Sequence, residues 1–234
     1  MNQQSSLWED AWRRLLANKA AVGGGVILCV LITLAILAPW IAPHSYSYQN
    51  LDLGAQPPSS TFFLGTDTLG RDLFSRILYG ARVSLMVGFV ATGVALVIGV
   101  SWGIIAGYFG GRVDSIMMRI VDVLYGLPFI IFIILLMVIF GRNIWLLFGA
   151  IGAVEWLTMA RIVRGQVLTI KNQEYVLAAQ AMGVSNFQMF RKHIFPNILG
   201  PIAVYATLTI PQVMLLEAFL SFLGLGIQPP MSSW

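Results

Sequence analysis

Three long stretches of this 234-residue chain carry no charge: Arg82 to Arg112, Asp122 to Arg142, and His193 to Glu217. Apolar runs of about 18 residues or more can cross a ~30 Å hydrocarbon layer as helices. Helices are the required form, because an unsatisfied backbone amide in lipid costs several kcal/mol. The pattern predicts spans near 21–41, 83–108, 119–140, 144–161 and 200–223. The fourth is the weakest signal, since Glu155 interrupts it and Gly149 and Gly152 lower its helix propensity. The expected fold is an all-α polytopic membrane protein with five transmembrane helices.

Polar segments divide the rest. Residues 1–20 include the amphipathic stretch SLWEDAWRRLLANK and read as a cytoplasmic N-terminal segment ahead of the first span, 21–41. That span is too long for a signal peptide and lacks a small-residue cleavage site, so a retained anchor is expected. Residues 42–82 are rich in Pro, Ser and Tyr at first and form an extracytoplasmic loop. It ends in FLGTDTLGRDLFSRILYGARVSL, where Asp67 or Thr68 can cap an interfacial helix bearing Leu69, Leu73 and Ile77, with Asp72 and Arg76 paired. A simple turn-around loop is the alternative. Residues 83–234 form the main transmembrane domain, and one long polar stretch, 171–196, interrupts it.

That stretch has the signals of a helical hairpin. Asn172 is a candidate N-cap, and Glu174 complements the positive end of the helix dipole. Gly183 is placed for a left-handed cap, Ser185 and Gln188 make a capping box, and Pro196 is expected to end the second helix. Helices this short are not stable alone in water, so both must rest on something. A DNA-binding helix–turn–helix is disfavoured, because the segment is pinned between spans and its basic residues form no stripe. Two readings stay open: a connecting loop folded onto its own domain, and a coupling element that inserts into a soluble partner. The small side chains of Ala178 and Ala179 would permit close approach in the second.

Ala91, Ala95, Gly99, Gly103 and Gly107 place a small residue at every fourth position of the second span, a ridge that lets a neighbouring helix approach closely. Three acids, Asp122, Glu155 and Glu217, lie in or beside spans, where a charge costs at least ~2.5–3.5 kcal/mol. Glu217 suits either a substrate path or a structural hydrogen bond between helices. Asp122 is expected to make an i,i+3 pair with Arg119.

Composition agrees with the membrane reading, with 58% hydrophobic and 10% charged residues. With the N-terminus inside, ten basic residues (Arg13, Arg14, Lys19, Arg112, Arg119, Arg161, Arg164, Lys171, Arg191, Lys192) fall on the cytoplasmic side, against Arg71, Arg76, Arg82 and Arg142 outside. The net charge of +4 is split among short loops and suits an anionic lipid surface rather than nucleic acid. The single cysteine, Cys29, lies in a span and permits no disulfide framework. His44 and His193 fall on opposite sides, which excludes a His-based metal or nucleophile site. The absence of any Gly-Lys pair excludes a phosphate-binding P-loop. An ion-coupled carrier titrating Glu155 and Glu217 is a rival from another class.

EYVLAAQAMGVSNFQMFRKHIFPN resembles the EAA loop of permease subunits of bacterial binding-protein-dependent ABC importers, with Glu174, Ala178, Ala179, Gly183 and Pro196 at the matching positions. SLWEDAWRRLLANKAAV, GYFGGRVDSIMMR, EWLTMARIVRGQ and EAFLSFLGLGIQPPMSSW are similar to the C-type subunit of oligopeptide permeases. The resemblance implies a non-enzymatic permease of the bacterial cytoplasmic (inner) membrane that imports oligopeptides, with dipeptide or nickel import as the alternative. It implies a homologous B-type permease subunit, two cytoplasmic ATP-binding subunits and an extracytoplasmic peptide-binding protein as partners. ATP and Mg would belong to the ATPase subunits, with no cofactor on this chain. Glu174, Tyr175, Ala178, Ala179, Gly183, Val184 and Ser185 would couple to the ATPase. Gln180 stands where many relatives carry a basic residue. The family has six spans, so a fragment lacking the last helix is expected.

Overall fold

The computed structural model describes residues 7–141, 143–231 and 233–234, so Arg142 and the first six residues of the N-terminal segment lie outside the described residues. Regular structure among the described residues is helical, apart from one isolated bridge between Thr66 and Asp72. The helices are α1 (Leu7–Ala17), α2 (Lys19–Ile41), α3 (Leu73–Phe109), α4 (Gly111–Tyr125), α5 (Phe129–Phe140), α6 (Ile144–Lys171), α7 (Glu174–Ala181), α8 (Asn186–Met189) and α9 (Phe195–Phe222), with a π-helical turn, Phe190–Ile194, joining α8 to α9. Four helical segments are long and apolar enough to cross a membrane, and counting the bent pair α4–α5 as one span makes five. The chain is a multi-pass membrane protein.

The described residues pack as two units, one comprising those up to Val83 with those from Pro229 onward, the other those from Ser84 to Gln228. In the first unit, α2 starts at an N-cap, Asn18, whose side chain accepts from the amides of Ala20 and Ala21. The following loop is tightly held. Thr66 Oγ1 accepts from Gln56 N (2.8 Å) and donates to Gly54 O (2.7 Å). Gly70 has φ +67°, and a Cβ there would sit 1.9 Å from Asn50 O, so neither the conformation nor the space admits a side chain.

The expected interfacial helix is not a separate element. Asp67 caps a turn, not a helix: its Oδ1 accepts from the amides of Leu69 and Arg71, and its Oδ2 from Arg71 Nε at 2.7 Å. Burial raises the pKa of Asp67, but these hydrogen bonds outweigh it and hold the carboxyl below its ordinary value. The i,i+4 ion pair formed is therefore Asp67–Arg71. Asp72 is buried and accepts from Ser75 N and Oγ instead of engaging Arg76 as expected. The helix begins at Leu73 and runs without a break through the second span.

In the second unit, α6 contacts α4, α5, α7 and α9. Expected to be the weakest span, it is a continuous helix lined with buried residues, from Leu147 to Ile170. The predicted third span is not one helix: α4 and α5 meet at 78°. Pro128 explains the break. It has no N–H, its ring would clash with the Leu124 carbonyl of a continuing helix, and it pushes Leu127 toward extended backbone.

Candidate functional site

The small-residue ridge of α3 lies against α6. A Cβ on Gly99 would fall 2.6 Å from Met159 Cβ, one on Gly103 2.5 Å from Ala160 O, and one on Gly107 2.9 Å from Val167 Cβ. Ala91 and Ala95 are fully buried. Gly152 is the reciprocal position on α6, where a Cβ would meet Val94 Cβ at 2.8 Å. Backbones in such contact fix helix register more strictly than long side chains would.

At the C-terminal end of α6 the chain folds into the polar hairpin. Asn172 is the C-cap of α6 rather than an N-cap, and Gln173 precedes α7 without a side-chain cap. Gly183 takes φ +79°; its N–H bonds Gln180 O, while Val184 N–H bonds Ala179 O. These two bonds satisfy the last carbonyls of α7 in the manner of a left-handed glycine cap. Ser185 Oγ then caps α8 by accepting from Gln188 N. Pro196 does not end the second helix. It is the second residue of α9, and the helical run from Asn186 to Phe222 passes through it directly after the π-helical turn.

One face of the hairpin is anchored. Val176, Ala179, Met189 and Ile194 are buried with Met159, Val163, Val167 and Ile170 of α6, and Val184 packs against the same cluster. Tyr108, near the end of α3, ties it further: its hydroxyl donates to Asn186 O at 2.8 Å, and its carbonyl accepts from Lys171 Nζ at 2.7 Å. The other face is open. Glu174, Tyr175, Ala178, Gly183 and Ser185 are exposed, together with Leu177, Met182 (77%) and Phe187 (71%). The seven expected coupling residues thus divide, with Ala179 and Val184 turned toward their own domain and five turned outward. Sequence spacing does not single out Leu177, Met182 and Phe187. Leu177 alone is out of helical phase with the inward pair Val176 and Ala179; Met182 is the C-cap of α7 and Phe187 lies on α8, beyond the turn.

Two ion pairs cross from α4 to α6. Arg164 grips Asp114 with two nitrogens, Nη2 to Oδ2 at 2.6 Å and Nε to Oδ1. Arg161 Nη2 reaches Asp122 Oδ1 at 2.7 Å, with its guanidinium 4.2 Å from the centre of the Tyr125 ring. Asp122 therefore serves a helix–helix contact, not the local pair with Arg119 expected from spacing. Glu217 is fully buried, with Ser221 Oγ donating to it at 2.5 Å and Ser84 Oγ 3.5 Å from its other oxygen.

Beside these contacts lie two clefts that share Glu155, Thr158 and Gln212. One, of about 270 Å³, is walled by Leu124, Tyr125, Leu127, Phe129 and Phe132; the other, of about 190 Å³, by Tyr205, Leu208 and Thr209. Glu217 lines neither.

The arrangement defines a class: a multi-pass membrane helix bundle whose packed central helix ends in a hairpin with one face anchored and one exposed. Residues 99–234 match the family model described as binding-protein-dependent transport system inner membrane component, and residues 6–58 match the N-terminal TM domain of oligopeptide transport permease C. The chain is 52% identical over 229 residues to the dipeptide transport system permease protein of Bacillus subtilis, covering 98% of this chain and 72% of that one. It is 49% identical over 231 residues to the oligopeptide transport system permease protein of Haemophilus influenzae, covering 98% and 74%. With the glutathione transport system permease protein of Pectobacterium atrosepticum the identity is 38% over 228 residues, covering 97% and 76%. The chain belongs to the family of binding-protein-dependent transport system inner membrane components.

Proposed function

We propose that this chain is one permease subunit of an ABC importer that moves oligopeptides inward across the bacterial cytoplasmic membrane, driven by ATP hydrolysis on separate subunits. The observation that carries the reading is the hairpin, whose inner face is built into α6 while its outer face offers Ala178, Met182 and Phe187 to a partner. A homologous permease would complete the bundle, two ATP-binding subunits would dock from the cytoplasm, and a peptide-binding protein would deliver cargo from outside. ATP and Mg would be held by the docked subunits. The N-terminus then lies in the cytoplasm, as does the hairpin. Closing of the ATPase dimer would bias the bundle between inward- and outward-facing states through the hairpin. A dipeptide cargo is the second reading, favoured by the 52% identity to the B. subtilis dipeptide permease.

Two adjacent alanines test the docking face. Ala178 is exposed and Ala179 is 4% exposed against its own domain. Ala178→Glu should leave the membrane-inserted permease at normal abundance while cutting ATPase co-purification and peptide uptake by about tenfold or more, the effect of desolvating an unpaired charge at an interface. Ala179→Glu should instead lower the abundance of folded permease. Full ATPase association and uptake in the Ala178 variant would refute the docking assignment.

A further inference from the structure

α6 carries one acid that its own fold leaves unused. Asp114, Asp122 and Glu217 are each engaged by an arginine or a serine hydroxyl. Glu155 is half-buried and, among the described residues, accepts no hydrogen bond and forms no ion pair. It stands eleven residues into α6, roughly 17 Å from the helix start at 1.5 Å per residue, a distance comparable to half of a ~30 Å hydrocarbon layer. An ionised group at that depth is costly unless something answers its charge.

The surroundings indicate what answers it. Glu155 is common to both clefts, and no lysine or arginine lines either one. The two clefts thus share a single carboxyl group, hydrogen-bonding groups at Thr158 and Gln212, and apolar or aromatic walls. Tyr205 lines this space, and aromatic rings also favour cations, whereas the Tyr125 ring already carries the Arg161 guanidinium. A small cation with several N–H donors suits it best. A peptide brings such a group in its protonated amino terminus, and a lysine side chain brings the same chemistry.

We infer that Glu155 receives a primary ammonium of the transported peptide, chiefly its α-ammonium, as the peptide crosses between α4–α6 and α9. The inference rests on the peptide-import reading. Glu155 acts as a binding group that the peptide must engage and leave, which gives this subunit its own selectivity.

The test uses the complete importer, with partner permease, ATPase subunits and binding protein, in proteoliposomes. The probes are Ala-Ala-Ala, N-acetyl-Ala-Ala-Ala and N-acetyl-Ala-Lys-Ala at saturating binding protein. For each probe the ratio of wild-type to Glu155→Gln uptake is read, so the binding protein's own preference cancels. The Gln side chain keeps the shape and removes the charge cost, and co-purification with the ATPase normalises for assembly. The ratio should be about ten for Ala-Ala-Ala, the worth of one charge-assisted hydrogen bond, and about one for the N-acetylated peptide. A ratio near ten for N-acetyl-Ala-Lys-Ala would extend the site to any primary ammonium, and a ratio near one would confine it to the amino terminus. Glu155→Asp should retain the discrimination. Equal ratios for all three probes would overturn the inference alone. No peptide uptake by the wild-type complex would overturn the import reading, and this inference with it.

Discussion

Gly103 has the least room of the glycines along α3, because a Cβ there would press on Ala160 O at 2.5 Å and Val163 Cβ at 2.8 Å. A backbone oxygen cannot rotate away as a side chain can, so one added methyl must push α3 and α6 apart. Gly93 on the same helix has nothing within 4 Å of its would-be Cβ. The pair separates packing from helix propensity. Gly103→Ala should destabilise the purified permease by about 1–3 kcal/mol, the usual cost of overpacking. Gly93→Ala should leave the melting temperature unchanged or raise it, since alanine is the better helix former. Equal melting of the two variants would remove α6 as the reason for glycine at 103. This contact was legible as spacing, since small residues every fourth position mark a ridge. The identity of the facing helix was not, because nothing in one sequence states which partner fills a groove.

The same limit governs charge at the scale of elements. Asp122 sits three residues from Arg119, and local spacing favours that pair, yet the carboxylate reaches Arg161 on another helix. Residues 114 and 122, about two turns apart on α4, face Arg164 and Arg161 in antiparallel order, a register set by tertiary packing. Proline behaves similarly. Pro196 looked like a terminator and instead opens α9, whereas Pro128 breaks an apolar run that hydropathy reads as a single span. Apolar length reports that a segment can cross the membrane and says nothing of its straightness. The Gly183 turn was legible because a positive φ and its two hydrogen bonds are properties of consecutive residues. The two ion pairs differ in burial, which sets their worth. Asp122 and Arg161 have side chains 64% and 41% exposed, against 15% and 34% for Asp114 and Arg164. Arg161→Met should cost no more than ~1 kcal/mol. Arg164→Met strands a mostly buried carboxylate that has lost a two-point grip, and should cost about 1–3 kcal/mol. Denaturant titration of the two variants in the same detergent checks the order, and the reverse order would refute it.

At the scale of the whole molecule, the proposed function requires motion at the hairpin to reach the middle of the bundle. α6 supplies one rigid route, with Glu155 near mid-span and its last residue, Lys171, at the hairpin, about 24 Å apart by helical rise. A single helix can pivot, so a second attachment is needed to turn displacement of the hairpin into tilt of the bundle. Tyr108 provides it, because its hydroxyl holds Asn186 of α8 while its carbonyl holds Lys171. The ring also meets Phe190 edge-on with centroids 5.9 Å apart, so removing only the hydroxyl should leave the packing in place. Tyr108→Phe then loosens α8 from α3 by about 1 kcal/mol, the net worth of one hydrogen bond. On the proposed function, the complex should still assemble, and its basal ATPase activity should stay unchanged. Stimulation of that activity by peptide-loaded binding protein, and uptake with it, should fall severalfold, because ATP-driven movement of the hairpin is no longer passed fully to α3. A variant with wild-type stimulation and uptake would show that the Tyr108 hydroxyl bond plays no part in transmitting the motion.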